Sequence, residues 1–429
     1  MICQALNWQD HYLKSRKVLN RNSVLNKKKW HSEVVQMFEN WSYGELLSKL
    51  QEAVQENRIV PYYQPIVRNL TNKTAALESL ARWIRNDGTV VQPGGFIPAL
   101  EEKHLIHLLD LAMLDRIRED HLKARSLGVR LPLISVNLSR LDFEDCDLVE
   151  EIRRRRDRWK EIDEDITKHI CFEVTESIYS KDPESIREQL GKLKEMGFEI
   201  WLDDFGSGYS SLEILTRDDF DLIKMDQSII RGLTDESKNS VIVTAITDMA
   251  RNLHLGSLAE GIEDHACFSL AKEIGVEFMQ GYWISRPIPL EQLVMKQSDA
   301  GTMLEFEDPD SRSFYDTIGK INLRSPFGGT VANPAKWRDN ILPAGVIGVK
   351  GNSYRLICCT WSFFEAMQLL ELLPEKVGDE IEVPFLREMD PEFLKAVKSC
   401  FETGDWEAYS FNYKGKVPVT GRVKELSED

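Results

Sequence analysis

Short apolar runs alternate with amphipathic stretches along residues 58–286 of the chain. Eight of the apolar runs have the length and the branched or aromatic content of β-strands. In order, they are IVPYYQPIV, AALESLARW, LPLISVNLS, HICFEVTES, FEIWLDDF, DLIKMD, LGSLAEGI and EFMQGYWIS. Most of them are separated by helical patterns, and this alternation indicates a parallel sheet. Eight such units predict an α/β fold, a closed (β/α)₈ TIM-like barrel.

One connection departs from this pattern. Only RNLTNKT joins the first two strand-like runs, whereas a crossover between parallel strands needs a dozen or more residues. We therefore expect the first strand to run antiparallel to the second, which makes the barrel a modified one. The link between the fifth and sixth runs is also short, and its segment SSLEIL is predicted to supply a turn or two of helix.

The helical patterns carry recognisable end signals. In DPESIREQLGKLKEMGF, Pro183 is placed for a first helical turn and Gly197 for the C-terminal cap. The patterns DESKNSVIVTAITDMARNLHLG and EDHACFSLAKEIG also end in glycine. The highly charged stretch EEIRRRRDRWKEIDEDITKH mixes both signs, with Glu151 and Arg155 four residues apart, and so predicts a solvated helix.

The pattern divides the chain into four predicted parts. Residues 1–48 form a polar lead-in that is basic at first and then helix-like, and residues 49–298 form the barrel. Residues 299–344 lack periodicity and are predicted to be a connector. Residues 345–429 have a different rhythm: two strands around a KGNS turn, two helices, and a hairpin turning at YKGK. They predict a small α+β domain whose sheet is incomplete.

Composition narrows the class of protein. The 429 residues are 42% hydrophobic and 29% charged, which is ordinary for a soluble globular chain. A formal net charge of −16 argues against a nucleic-acid polymer as partner. Seven scattered cysteines without CxxC spacing, and a start without an apolar signal region, predict a cytoplasmic protein. No apolar run is long enough to span a membrane.

Polar side chains lie where the predicted strands end. From the second strand onward, each strand offers an ionisable or amide group near its carboxyl end, where barrel enzymes place their active sites. A set that fills seven consecutive strands is hard to explain as hydrogen-bonded core. The set consists of Glu78, Asn137, Glu173, Asp203, Asp204, Lys224, Asp226, Glu260 and Gln280.

The types of ligand indicate hard divalent cations. Carboxylate and amide oxygens without histidine or cysteine suit Mg²⁺ or Mn²⁺. Two ions with Asp203 able to bridge them are predicted, as in phosphoryl displacement, because five carboxylates exceed what one ion needs: Glu78, Glu173, Asp203, Asp204 and Glu260. Lys224 would contact the attacking water or a phosphate oxygen. His104 and His107 lie three residues apart without a matching third ligand, so a surface or packing role is favoured over zinc.

Nine short motifs together resemble one enzyme family. They are YYQPIV, ESLARW, GGFIPALEE, SVNLS, FEVTES, LDDFGSGYSSL, IKMD, AEGIE and QGYWISRPIP. Over residues 49–296 the chain resembles the EAL-domain phosphodiesterases, which hydrolyse the bacterial second messenger cyclic di-GMP. That resemblance implies a modified barrel with an antiparallel first strand and the product linear pGpG. One departure is Ser79, where the family signature has alanine, although the side chain stays small.

The resemblance also implies a role for each matching residue. The ligands of one metal ion would be Glu78, Asn137, Glu173 and Asp203, and those of the second Asp203, Asp204 and Glu260. The catalytic residues would be Lys224, which positions or deprotonates the nucleophilic water, together with Glu260 and Glu176. Glu176 would anchor the loop after Asp204, which in this family links the metal site to a dimer interface, so a homodimer is expected. The residues that contact cyclic di-GMP would be Gln64, Leu80, Arg82, Pro98, Asp226, Glu263, Gln280 and Tyr282.

Two other functions stay open for the barrel. A catalytically silent cyclic di-GMP receptor often lacks a metal ligand, the lysine or the loop after the fifth strand, and all of these are present here. A pure interaction scaffold would not need the filled strand ends. For the tail, the order of elements and the segment WSFFEAM resemble a PAS-type sensor module. A packing appendage without a ligand is the alternative for that region.

Overall fold

The computed structural model describes residues 35–161, 166–206, 211–217, 220–234, 237–299 and 301–319, together with six strands between residues 345 and 423. The first nine strands are β1 (Ile59–Arg68), β2 (Thr74–Ile84), β3 (Val90–Val91), β4 (Leu133–Leu138), β5 (Ile170–Thr175), β6 (Glu199–Phe205), β7 (Leu222–Met225), β8 (Gly256–Ala259) and β9 (Phe278–Met279).

Helices follow most of these strands. They are α1 (35–40), α2 (Tyr43–Gln55), α3 (Ile97–Glu102), α4 (Ile106–Ser126), α5 (Asp142–Asp145), α6 (Leu148–Lys160), α7 (Pro183–Glu195), α8 (Ser211–Arg217), α9 (Gln227–Ile230), α10 (Lys238–Asn252), α11 (His265–Ile274), α12 (Leu290–Lys296) and α13 (Arg312–Gly319). Short 3₁₀ helices lie at Pro93–Gly95, Ile166–His169, Glu176–Ser180 and Pro309–Ser311. Among the described residues, no helix is both long enough and apolar enough to cross a membrane.

The nine strands form one sheet in the order β1-β9-β8-β7-β6-β5-β4-β2-β3, and β1 also pairs with β2. Eight strands therefore close into a barrel, and β3 adds a short hairpin to β2. The pairs β2–β4, β4–β5, β5–β6, β7–β8 and β8–β9 are parallel. Strand β1 runs antiparallel to β9, with Val67 opposite Met279 and Arg68 opposite Phe278. The sheet order and this antiparallel pairing confirm the predicted barrel with a reversed first strand. The connection after β1 is too short for a crossover between parallel strands, which explains the reversal.

The contacts of the chain group its described residues into two compact units, which we describe in turn. The first unit contains the residues up to Ile66, Ala76–Phe220 and Ser285–Glu305. The second contains Val67–Ala75, Asp221–Ile284 and the residues from Phe306 onward.

In the first unit, the helical part of the predicted lead-in belongs to the apolar core. Helix α2 begins at a capping box in which the Ser42 side chain accepts from the backbone of the third helical residue. Leu46 and Leu50 recur at helical spacing and are fully buried. They join a cluster of buried apolar residues with Trp83 and Phe96. The basic run at the start of the lead-in lies outside the described residues.

The helices predicted from residues 151–215 of the first unit agree with the structure. In α6, Arg155 and Glu151 form an ion pair with 2.7 Å between Nη1 and Oε2, as predicted for a solvated helix. Helix α7 begins at Pro183 after the side chain of Asp182 caps it. Gly197 follows the helix with φ of +94°, the left-handed conformation that glycine accepts at a helix end. The segment SSLEIL supplies α8, which confirms that prediction too.

In the second unit, two helices are predicted to end at a glycine. The prediction is right for α11 and wrong for α10. Gly275 ends α11 in the left-handed conformation, with φ of +87°. Helix α10 ends at Asn252, and His254 takes the left-handed position with φ of +58°. Gly256, which the pattern suggested as the stop, is the first residue of β8 instead. Local capping hydrogen bonds already end the helix, since Leu255 N donates to Ala250 O at 2.8 Å.

A buried cluster of charged groups lies in the second unit. The Arg68 guanidinium is 1% exposed and forms ion pairs of 3.0 Å with Glu277, 3.0 Å with Glu307 and 2.7 Å with Asp316. The ring of Phe278 lies 4.6 Å from its central carbon, a cation–π contact. Three carboxylates surrounding one cation hold the pKa of Arg68 above its usual value.

This cluster includes part of the predicted connector. Glu307 and Asp316 belong to it, and Phe306 forms an isolated parallel β-bridge with Thr74. The 3₁₀ helix at Pro309–Ser311 and α13 also lie in this part of the predicted connector. Residues 320–344 of the predicted connector lie outside the described residues.

The tail contributes two small antiparallel sheets. The strands are β10 (Gly345–Lys350), β11 (Ser353–Cys359), β12 (Glu375–Val377), β13 (Glu380–Glu382), β14 (Glu407–Tyr413) and β15 (Val417–Val423). One sheet has the order β10-β11-β13-β12 and the other pairs β14 with β15. The hairpins predicted at KGNS and YKGK are confirmed by the pairs Lys350–Ser353 and Tyr413–Val417. The helices predicted between β11 and β14 lie outside the described residues.

We expect Arg68→Met to lower the free energy of unfolding by about 3–5 kcal/mol, because it leaves buried carboxylates without their cation. Urea unfolding followed by tryptophan fluorescence measures this loss. Lys192→Met is the matched control, since Lys192 pairs with Glu188 on the exposed face of α7 and should leave the midpoint unchanged. Equal midpoints for the two variants would show that the buried cluster contributes nothing.

Two carboxyl groups in the first unit lie close enough together to share one proton. Asp110 on α4 and Asp142 on α5 hydrogen bond to each other. Burial, followed by the charge of Asp142, raises the pKa of Asp110 well above its usual range. Burial also raises the pKa of Asp142 to about 7. Ser139 N donates to Asp142 at 2.8 Å, and Ser139 Oγ donates to Glu101 at 2.8 Å.

A carboxyl group whose pKa is raised by folding stabilises the folded state at low pH and loses that contribution as pH rises through its folded value. We therefore expect the melting temperature to fall between pH 6 and pH 8, and Asp142→Asn to reduce this fall. Differential scanning calorimetry at several pH values measures it. Asp157→Asn, an exposed change on α6, should keep the wild-type slope. A pH-independent wild-type melting temperature would contradict the shared proton.

Candidate functional site

In the first unit, strand pairing brings four predicted metal ligands to one face of the sheet. Asn137 on β4 lies directly opposite Glu173 on β5. Glu78 on β2 is paired with Ser135, two residues before Asn137, and Asp203 on β6 is two residues beyond the partner of Glu173. Residues two apart along a strand point to the same side. Asn137 Nδ2 donates to Glu78 Oε1 at 3.4 Å, and Glu78 and Glu173 are buried.

The neighbouring aspartates sit where β6 leaves regular strand geometry. Asp204 has φ of +55°, a conformation that aspartate tolerates better than most residues. Its backbone N–H donates to Asp203 Oδ1 at 2.9 Å. This hydrogen bond stabilises the negative charge of the Asp203 carboxylate. Both residues belong to an acidic cluster of the described residues, in which candidate ligand oxygens lie within 4.8 Å of one another.

The residue predicted to anchor the following loop does contact it. Glu176 begins the 3₁₀ helix after β5, and its Oε1 accepts from Gly206 N at 3.4 Å. Gly206 has φ of +92°, which allows the chain to turn away from the strand. Residues 207–210, which include the second glycine of the motif, lie outside the described residues.

The predicted substrate residues of the first unit differ in exposure. Gln64 on β1 is buried and its Nε2 donates to Ser285 O at 3.1 Å. Arg82 on β2 is also buried, and its Nη1 donates to Ala81 O at 2.9 Å, a backbone carbonyl of its own strand. Leu80 is half-buried and Pro98 on α3 is exposed. The ring of Tyr62 lies 5.2 Å from the Arg82 guanidinium.

The Ser79 departure from the family signature is accommodated without an unpaired group. Its hydroxyl is buried and donates to the carbonyl of Ser135 on β4 at 2.6 Å. A buried hydroxyl is tolerated when it has such a partner. The neighbouring Glu78 therefore keeps the strand position that an alanine at 79 would give it.

In the second unit, the predicted lysine and one predicted acid form an ion pair. Lys224 on β7 is fully buried, and its Nζ lies 2.7 Å from Glu260 Oε1. Glu260 directly follows β8, and its backbone N–H donates to Met225 O at 3.2 Å. Lys224 is paired with Leu258 across the two strands, so Lys224 and Glu260 share one face.

The residues of this unit that are predicted to contact the substrate follow the carboxyl ends of β7, β8 and β9. Asp226 caps α9 by accepting from Ser228 N at 2.9 Å. Gln280 follows β9 and is buried, whereas Tyr282 is 57% exposed. Glu263 is exposed and lies 3.5 Å from Arg231. Sequence reasoning missed Arg231, because nothing in the local pattern pairs the end of α9 with the loop after β8.

The donor types fit hard divalent cations. Carboxylates and one amide could provide oxygen ligands in the first unit, and the second unit has a carboxylate of its own in Glu260. The side chain of His104 lies against a carboxylate: its Nδ1 is 2.9 Å from Asp145 Oδ1. Among the described residues, neither His104 nor His107 joins a group that could hold a metal ion.

Comparison with known proteins identifies the family to which the barrel belongs. The EAL domain family model matches residues 47–287, more than half of the chain. The protein belongs to the EAL domain family. A solved structure described as PaMucR phosphodiesterase in complex with c-di-GMP matches with a TM-score of 0.52 and 33% identity, covering 58% of this chain and 99% of that one.

Curated relatives match the same region. The bifunctional diguanylate cyclase/cyclic di-GMP phosphodiesterase MucR of Pseudomonas aeruginosa is 33% identical over 250 residues, which are 58% of this chain and 36% of that protein. The probable cyclic di-GMP phosphodiesterase PdeG of Escherichia coli is 31% identical over 248 residues, which are 57% of this chain and 48% of that protein. The chain thus matches less than half of the length of either relative.

Proposed function

We propose that the protein is a metal-dependent phosphodiesterase that opens cyclic di-GMP to linear pGpG. The observation that supports the proposal is a series of carboxylates, one amide and a buried lysine at the strand ends of an EAL-family barrel. The names of the matched relatives support the choice of substrate. A catalytically silent receptor would tolerate the loss of one of these groups, and none is missing.

Two divalent cations, Mg²⁺ or Mn²⁺, are the proposed cofactors. Glu78, Asn137, Glu173 and Asp203 would hold one of them. Asp203, Asp204 and Glu260 would hold the second. When bound, such ions lower the pKa of a bound water and offset the charge that develops on the phosphoryl oxygens. Support for this assignment comes from the shared strand face of the first-unit acids and from their oxygen-only chemistry.

Lys224 is the proposed partner of the attacking water. Its side chain is buried, and its ion pair with Glu260 holds the ammonium at the strand end. From there the ammonium would orient the water, or the lysine in its neutral form would accept the proton of the water. The dinucleotide would be held by Gln64, Leu80, Arg82, Pro98, Asp226, Glu263, Gln280 and Tyr282. Arg82 would supply a positive charge for a phosphate.

We also propose that Glu176 orders the chain after Asp204 and so couples the metal ligands to pairing of two protomers. Its contact with the Gly206 amide supports the first half of this proposal. The homodimer rests on family resemblance, and light scattering on the purified protein measures it.

The direct test is incubation with cyclic di-GMP and Mg²⁺ or Mn²⁺, with and without chelator, and separation of the products by chromatography. We expect metal-dependent appearance of pGpG, and a loss of at least about 10²-fold in Asp203→Asn, because a ligand charge is removed. Asp157→Asn on α6 is the matched control and should keep full activity. Binding without hydrolysis would favour the receptor, and neither binding nor hydrolysis would refute the proposed substrate.

A second prediction separates chemistry from binding. Lys224→Ala should lower kcat by about 10²–10⁴-fold with little change in KM, because loss of a proton-transfer group acts on the transition state. Steady-state kinetics with cyclic di-GMP measures both constants, and Lys192→Ala on the exposed face of α7 is the control. A raised KM with unchanged kcat would make Lys224 a phosphate-binding residue only.

A further inference from the structure

Two segments of the second unit cross each other with almost no space between their backbones. One segment, residues 260–263, follows β8, and the other, residues 280–283, follows β9. We propose that Gly281 is a positioning residue, whose missing side chain sets the distance between the residues that hold the dinucleotide. This inference rests on the proposed function, because the positioned residues are those assigned to cyclic di-GMP.

The approach at Gly281 leaves no room for a side chain. A Cβ atom built there would lie 2.1 Å from Ile262 O, 2.3 Å from Ile262 N and 2.6 Å from Ile262 C. All three are backbone atoms, so no side-chain rotation can relieve the contact. Any residue with a Cβ at position 281 must push the two segments apart by about 1 Å, a shift that can cost on the order of 10²-fold in a positioned site.

Conformational freedom is not the reason for glycine at this position. Gly281 does not have a positive φ, unlike Gly261 and Gly275. The φ of Gly281 therefore does not by itself exclude alanine, whereas the contact with Ile262 does. Substitution at this position mainly tests the distance between the two segments.

Hydrogen bonds hold the two segments in this register. Ile262 N donates to Gln280 O at 3.0 Å, and Trp283 N donates to Ile262 O at 3.0 Å. Gln280 N donates to Ala259 O at 2.9 Å, which extends the ladder between β8 and β9. Ile262 is fully buried, so these backbone groups have no water to replace a lost partner.

The crossing carries four proposed site residues, two on each segment. Glu260 and Glu263 lie on the first, and Gln280 and Tyr282 lie on the second. Glu260 is independently held by Lys224 and by its own backbone bond to Met225 O. If the two segments are pushed apart, the second segment should therefore move more than the first. The proposal assigns the residues of that second segment to substrate contact rather than to chemistry.

The test is Gly281→Ala in the full chain, assayed with cyclic di-GMP. We expect KM to rise by roughly 10²-fold while kcat falls by less than about tenfold, the reverse of the pattern for Lys224→Ala. Gly191→Ala on α7 is the matched control, since Gly191 also lacks a positive φ and a Cβ there would meet nothing within 4 Å.

A folded Gly281→Ala variant with wild-type KM would overturn the inference, and so would a variant that loses kcat alone. If the wild-type protein neither binds nor hydrolyses cyclic di-GMP, the proposed function fails and the inference fails with it. If the variant does not fold, hydrogen exchange on the wild-type protein decides. The amides of Ile262 and Trp283 should exchange no faster than those within β8, and exchange at the rate of an open loop would refute the crossing.

Discussion

An antiparallel first strand closes the barrel, and this closure determines where the other strands and the polar residues at their ends lie. β1 pairs with β9 on one side and with β2 on the other, so the backbone leaves no free barrel edge. Within the first unit, β2, β4, β5 and β6 run parallel, and within the second, β7, β8 and β9 do so. Carboxyl ends of parallel strands lie at one edge, so the polar residues that follow them are collected there.

Acidic side chains that lie close together repel each other, and the chain resolves this repulsion by several means. At the end of β1, a single buried guanidinium, that of Arg68, compensates three carboxylates. In the pair Asp110 and Asp142, a shared proton takes the place of a cation. Lys224 compensates Glu260 at the end of β7. For the acids on the strand face of the first unit, bound cations would offset the repulsion between the carboxylates.

Much of the fold and most of the site can be predicted from the sequence because strand position is a local property. The eight apolar runs and the seven-residue first connection are enough to predict the barrel and its reversed strand. Period-two geometry then assigns Asn137 and Glu173 to one face once the register is right. The misread stop at Gly256 shows the limit of this reasoning: glycine suits both a helix end and a strand, and only capping at Leu255 decides between them.

The order of elements, the class of fold and the residue types at the strand ends can all be read from the local pattern of residues. Which distant groups come into contact depends on how the chain folds back on itself. Glu307 and Asp316 look like acids of a featureless connector until the chain returns them to Arg68, and Gly281 looks like an ordinary turn glycine until Ile262 lies against it. Such contacts join residues far apart in sequence, and their energies depend on burial and on distances that no local pattern contains.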